Sequence, residues 1–307
     1  MDKYTDKKKR NQDLTNYISK HLSENNLRLI EECGTYLEFY ADKSLEVKKL
    51  SKANFCKNRF CPLCSWRKAR RDAFTISILM EYLKQEHNLD FIMLTLTAPN
   101  VVAEELKDEI TRYNKCFRFL TRRKEFKALS KGYVRKLEVT YNAERDDFHP
   151  HFHIIIAVKK SYFTSKEYLS KKRWLALWRE VMKDDTITQV DVRKVNTNDT
   201  KAISEIAKYS AKDTDYMTSD VVFDAFYKAL KGRQLITYAD AFKNALTLFK
   251  QGALDKYKEI DMTEYVYSLV YDWNKSYANY ILYEMRELSE KEISEINKKT
   301  IEDIEIE

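Results

Sequence analysis

Glycine and proline are nearly absent from this chain, at four and three residues respectively among 307. Ordinary usage of about 7% Gly and 5% Pro would supply roughly 21 and 15. Gly34, Gly132, Gly232 and Gly252 stand far apart, and none precedes a Lys-Ser or Lys-Thr pair. A phosphate loop needs two glycines ahead of such a pair, and a dinucleotide-binding turn needs three clustered ones. Both are excluded, as are collagen-like and Pro/Gly-rich disordered chains. With so few turn residues, the chain is expected to be built largely from long helices.

Hydrophobic residues make up 44% of the chain and charged residues 34%, enough apolar material for more than one core. No apolar stretch is long enough to span a membrane, and Met1-Asp2-Lys3-Tyr4 does not open an apolar signal segment. Five cysteines, three of them within nine residues, suggest metal ligation in a reducing compartment, hence a cytoplasmic protein. The net charge of +7 is uneven: residues 1–72 hold 17 Lys/Arg against 10 Asp/Glu, whereas residues 284–307 hold 4 against 9. A basic body of this kind suits a polyanion, nucleic acid before membrane, although a solvated lysine-rich surface reads the same way.

Short strands are expected at 35–40, 91–97, 133–141, 152–158 and 187–195, and helices at 66–86, 101–124, 165–183 and 200–213. Everything beyond is expected to be helical. The polar segment Asn142–Phe148 between two strands signals a hairpin. The expected fold class is α+β, with a central antiparallel sheet and flanking helices. Three regions are expected: a basic N-terminal region with a metal knuckle (1–70), a central domain (71–216) and a helical C-terminal region (217–307). The stripe of Trp174, Leu177, Trp178 and Val181 reads as core rather than as a base-stacking platform.

Three of the five histidines fall in His149-Pro150-His151-Phe152-His153. Residues two apart on a strand share a face, so His151 and His153 point the same way, and two adjacent imidazoles are a ready divalent-metal pair. If the hairpin turns near residue 145, Glu138 on the preceding strand lies opposite His153 and becomes a third ligand. His149 is a further candidate, as ligand, supporting donor or DNA contact. The alternative is a set of histidines that merely caps a hairpin.

Cys56, Cys61 and Cys64 have spacings of five and three, and the Cys-Pro-Leu-Cys step is a zinc-knuckle turn. Structural zinc takes four ligands, and Cys33 is the expected fourth; Cys116 reads as a core thiol. Basic runs follow the knuckle at Arg67–Arg71 and precede the histidine strand at 121–136. Each is either a contact to a phosphate backbone or a solvated face.

The segment His151-Phe152-His153, followed by three isoleucines, resembles the His-hydrophobic-His motif of the HUH endonuclease superfamily. With Leu94-Thr95-Leu96-Thr97 and Leu137-Glu138-Val139-Thr140, it is similar to the rolling-circle replication initiators of small Gram-positive plasmids, over about Cys56 to Tyr216. That family places a catalytic tyrosine on a helix after the histidines, and Glu205-Ile206-Ala207-Lys208-Tyr209-Ser210-Ala211-Lys212 matches. The resemblance implies Tyr209 as nucleophile and Glu205 as activator of water in the terminating cleavage. Glu205, Tyr209 and Lys212 fall at i, i+4 and i+7, one face of a helix, so Lys212 is expected to reach the site; Tyr216 is the runner-up nucleophile.

The resemblance further implies Mg²⁺ or Mn²⁺ at Glu138, His151 and His153, plasmid origin DNA as substrate, and a host helicase and DNA polymerase as partners. Origin recognition or self-association as a homodimer is the role left for the C-terminal region. A related transposase or mobilisation relaxase, or a non-enzymatic zinc-containing DNA-binding protein, are the alternatives. In many relaxases the tyrosine precedes the histidines, whereas here it follows them.

Overall fold

The computed structural model describes residues 1–196, 200–207 and 211–296. It is a mixed α/β structure with two antiparallel sheets flanked by helices, and it divides into two compact units. One unit joins Met1–Lys68 to the segment that begins at Lys258; the other is Ala69–Tyr257.

In the first unit, helices α1 (Asp2–Ile18) and α2 (Glu24–Glu31) precede strands β1 (Tyr36–Asp42) and β2 (Lys48–Ala53). The first turns of α3 (Pro62–His87) belong here too, with Pro62 at the helix start, where a missing N–H costs nothing. The remaining strands of this unit come from the far end of the chain.

The second unit holds β3 (Leu89–Thr97), α4 (Leu106–Arg122), α5 (Lys124–Leu129), β4 (Ser130–Asn142), β5 (Asp147–Lys159), α6 (Lys171–Met182) and β6 (Val190–Val195). After these come α7 (Thr200–Ala207), α8 (Asp213–Tyr216), α9 (Asp220–Leu230), β7 (Ile236–Asp240) and α10 (Ala241–Lys250). The chain then returns to the first unit with β8 (Tyr265–Asn274), β9 (Asn279–Glu287) and α11 (Glu290–Ile296). The sheet orders are β2-β1-β8-β9 and β6-β3-β5-β4-β7.

In the five-stranded sheet β5 is central, paired with β3 on one side and β4 on the other. Ile154 to Val158 are all buried because helices cover both faces, which explains an unbroken apolar run in an antiparallel strand. On one face, Phe152 packs against Tyr113 and Phe117 of α4, with ring centroids 5.5 and 5.6 Å apart, and Trp178 of α6 packs on Tyr113 at 5.6 Å. Trp174 and Trp178 are fully buried, as a core stripe should be. On the opposite face, Phe242 of α10 meets Phe91 at 5.9 Å, and α7 lies against β4 and β5.

Two expectations need correction. The chain beyond residue 213 is not wholly helical, since β7, β8 and β9 lie within it. Scarce glycine misleads because many turns are made by other residues. Leu45, Lys57, Asn88, Asp146, Lys183, Asp240 and Ala278 adopt positive φ themselves, and in the β8–β9 turn the Asn274 side chain accepts from the N–H groups of Ser276 and Tyr277 at 3.0 and 3.1 Å. The hairpin register also differs. Asn142 pairs with Asp147, so Glu138 stands opposite His151 and Lys136 opposite His153. Asn142 Oδ1 closes this turn by accepting from the N–H groups of Glu144 and Arg145. Pro150 lies inside β5, opposite Val139, rather than ahead of the strand.

Gly132 is where β7 joins β4. Its φ is +151°, and a Cβ there would come within 2.7 Å of both the Ala239 carbonyl and the Ala241 amide nitrogen. Gly132→Ala should therefore destabilise the protein by about 1–3 kcal/mol through strained backbone, read as a lowered denaturation midpoint. An unchanged midpoint would mean that β7 does not dock this closely.

Candidate metal centres

Among the described residues, two clusters of metal-ligating side chains form, one in each unit. In the second unit, Glu138 on β4 and His151 and His153 on β5 share one face of the hairpin, since residues two apart and residues directly opposite point the same way. The Nε2 atoms of His153 and His151 lie 3.0 and 3.4 Å from the same Glu138 Oε2. Adjacent ligands of an octahedral cation at about 2.1 Å are about 3.0 Å apart, so the spacing fits one small divalent ion.

The outward nitrogens support the same conclusion. His151 Nδ1 is 3.2 Å from the His149 carbonyl oxygen, which can only accept. His153 Nδ1 is 3.3 Å from the Thr95 hydroxyl on β3. A proton on Nδ1 of His151 leaves the Nε2 lone pair of the neutral ring facing a carboxylate oxygen. That arrangement is favourable when a cation lies between them or the ring is charged. Burial alone would push the Glu138 carboxyl up. Hydrogen bonds from His151 and His153, reinforced by their charge, instead hold it well below the usual carboxylate range.

His149 does not join this group. Its Nδ1 is 2.7 Å from Asn100 Oδ1, and Asn100 in turn donates to Asp147 at 2.8 Å. Burial lowers the His149 pKa, which favours a neutral ring. Glu205 on α7 forms an ion pair with Arg193 of β6, Nη2 to Oε2 3.0 Å. Lys212 is exposed, and its carbonyl accepts the first hydrogen bonds of α8. Tyr209 lies outside the described residues. Tyr216 is buried, its ring 6.0 and 6.1 Å from those of Phe223 and Phe226.

Sequence reasoning did not single out Arg193 or Lys136. Lys136 shares the Glu138 face of β4, is buried, and donates from Nζ to the carbonyl of Ala207 at the end of α7, 3.1 Å away. It was visible only as one more lysine in a basic stretch. Its place on the metal face could not be read without the register.

In the first unit, Cys33, Cys56, Cys61 and Cys64 converge. Cys33 Sγ stands 3.5 Å from the Sγ atoms of both Cys61 and Cys64, and Cys56 Sγ is 3.6 Å from Cys64. Those separations are far too long for disulfides. A tetrahedral zinc site with Zn–S of about 2.3 Å has S···S edges of about 3.8 Å, close to what is found. The Cys56 and Lys57 amide groups donate to the sulfurs of Cys33 and Cys64 at 3.3 and 3.2 Å. Hydrogen bonds from the other thiols draw the Cys56 pKa down. The hydrogen bond with Cys56 raises that of Cys33, and burial raises that of Cys61. Four sulfurs this close together can all ionise only around a cation. Cys116, by contrast, is buried alone in α4.

The sequence model of the Rep_1 family, described as a replication protein, matches residues 47–281. A Staphylococcus aureus protein named "Protein rep" is 56% identical over 218 residues, covering 71% of this chain and 95% of its own length. A Bacillus amyloliquefaciens "Protein rep" is 34% identical over 284 residues, covering 82% and 84%. A third, from a Bacillus species, is 37% identical over 235 residues, covering 69% and 76%. No solved structure matches.

Replacing Glu138 by Gln keeps the shape of the side chain but removes the charge shared by two imidazoles. Mn²⁺ affinity, measured by calorimetry on the full chain, should fall at least tenfold. Equal affinity in the variant would remove Glu138 from the ligand set.

Proposed function

The chain belongs to the Rep_1 family of replication proteins, and we propose that it starts rolling-circle replication of a plasmid by nicking one strand at the origin. The observation that carries this reading is the Glu138–His151–His153 group on the central hairpin, with α7 packed against the same two strands.

In this reading the hydroxyl of Tyr209 attacks the scissile phosphorus. The bond from phosphorus to the 3′ oxygen breaks, a 5′-phosphotyrosine forms, and a free 3′-hydroxyl is released to prime a host DNA polymerase. Glu138, His151 and His153 would hold Mg²⁺ or Mn²⁺, which would supply positive charge to stabilise the phosphate as negative charge develops. Thr95 and the His149 carbonyl hold the two imidazoles in orientation. Lys136 holds the last turn of α7, so the backbone leading to Tyr209 starts from a fixed point beside the metal ligands.

Glu205 is the candidate base for water in the closing step, its carboxylate aimed by the ion pair with Arg193. Lys212 adds positive charge for the phosphate. The phosphotyrosine conserves the energy of the broken bond, so joining needs no nucleotide hydrolysis, in keeping with a sequence that has no phosphate loop. Strand opening falls to a host helicase. The four cysteines hold zinc as a structural ion in this reading.

The test uses the purified protein, a labelled single-stranded origin oligonucleotide and Mn²⁺. Wild type should give a denaturant-resistant protein–DNA adduct. Tyr209→Phe should give none while binding the oligonucleotide equally well. An adduct of undiminished yield from Tyr209→Phe would overturn the nucleophile, and binding without cleavage in any divalent metal would overturn the enzyme.

A further inference from the structure

Lys8 is a charged side chain where charge is hardest to keep. It lies on α1, 1% exposed, and its Nζ donates to the carbonyls of Glu31 and Cys33, each at 2.8 Å, and to Asn11 Oδ1 at 3.2 Å. All three acceptors are uncharged. Burying an ammonium ion costs several kcal/mol unless an opposite charge is close. The candidate counter-charge is the cysteine cluster, because one of these carbonyls belongs to Cys33 itself. Asn11, also fully buried, accepts from Lys8 through Oδ1 and donates through Nδ2 to Cys61 Sγ at 3.4 Å. Its amide dipole is therefore aligned between an ammonium group and a sulfur, which is favourable when that sulfur is a thiolate. Cys33 and Cys61 are the two fully buried members of the cluster, so water does little to screen them.

Four thiolates around one zinc ion carry a net charge of −2. We propose that Lys8, directly and through Asn11, is the charge partner of that centre, and that zinc binding and the docking of helix α1 are therefore coupled. The proposal rests on the zinc reading given above. Lys8, Asn11 and Cys33 all precede residue 47, where the family match begins. The N-terminal segment thus supplies both the fourth ligand and the cation that makes four thiolates tolerable. Lys8 acts through the metal ligands and is a positioning residue for them.

The coupling predicts opposite consequences with and without metal. In the zinc-loaded protein Lys8 offsets negative charge; in the metal-free protein, with thiols protonated, the same ammonium is buried without compensation. The experiment takes the full-length protein, confirms zinc content by elemental analysis, and compares wild type with Lys8→Met and Asn11→Leu. Zinc release to a chromogenic chelator and thermal midpoints with and without zinc are measured. Lys8→Met should release zinc at least tenfold faster and show a smaller zinc-induced rise in midpoint, with the metal-free midpoint unchanged or raised. Asn11→Leu, which leaves the ammonium and its carbonyl contacts in place, should also speed release.

If Lys8 only caps the carbonyls of Glu31 and Cys33, Lys8→Met lowers both midpoints equally and zinc release is unchanged, which overturns the proposal. Should Lys8→Met not accumulate, unchanged release in Asn11→Leu overturns it instead. Wild-type protein without zinc overturns the zinc reading, an outcome read before any variant is compared.

Discussion

One carboxylate oxygen shared by two imidazoles on a neighbouring strand is the contact around which the second unit is arranged. It exists only in one register. A slip of one residue between β4 and β5 would turn Glu138, or both histidines, to the opposite face. The structure fixes that register from several directions. The Asn142 side chain closes the turn, β3 pairs along the other edge of β5 and brings Thr95 to His153, and β7 lies against the glycine at the start of β4. The isoleucine run that follows His153 anchors the strand between two helical layers.

How much of this could be read from the amino acids differs by element. The His-x-His pair and the Cys-x-x-Cys step declare their chemistry locally, because strand and knuckle geometry follow from neighbours in the chain. Cys33 was reachable by counting ligands. Glu138 was reachable by alternation, although its partner was misjudged by two residues, since the turn depends on how an asparagine folds back on its own backbone.

What stayed hidden has a common cause. Arg193 with Glu205, and Lys136 with Ala207, are pairings across sheet and helix that no local pattern announces. The strands of the C-terminal region were missed for a different reason. Their sequences, rich in Tyr, Val and Trp, suit strands, but the scarcity of glycine argued against turns. Non-glycine residues accept left-handed backbone there at a modest energetic cost, and Asx turns do the rest.

The unit that carries the cysteines draws strands from both ends of the chain: Ser268 of β8 bonds to Glu38 of β1 across 230 residues. During synthesis at about 5–20 residues per second, β1 waits on the order of ten seconds or longer for the strand that completes it. The intervening unit, continuous in sequence, emerges whole in that interval. All four cysteines are present once residue 64 has been made. A metal ion held by them would therefore be a long-range constraint available to the nascent N-terminal segment before β8 emerges from the ribosome.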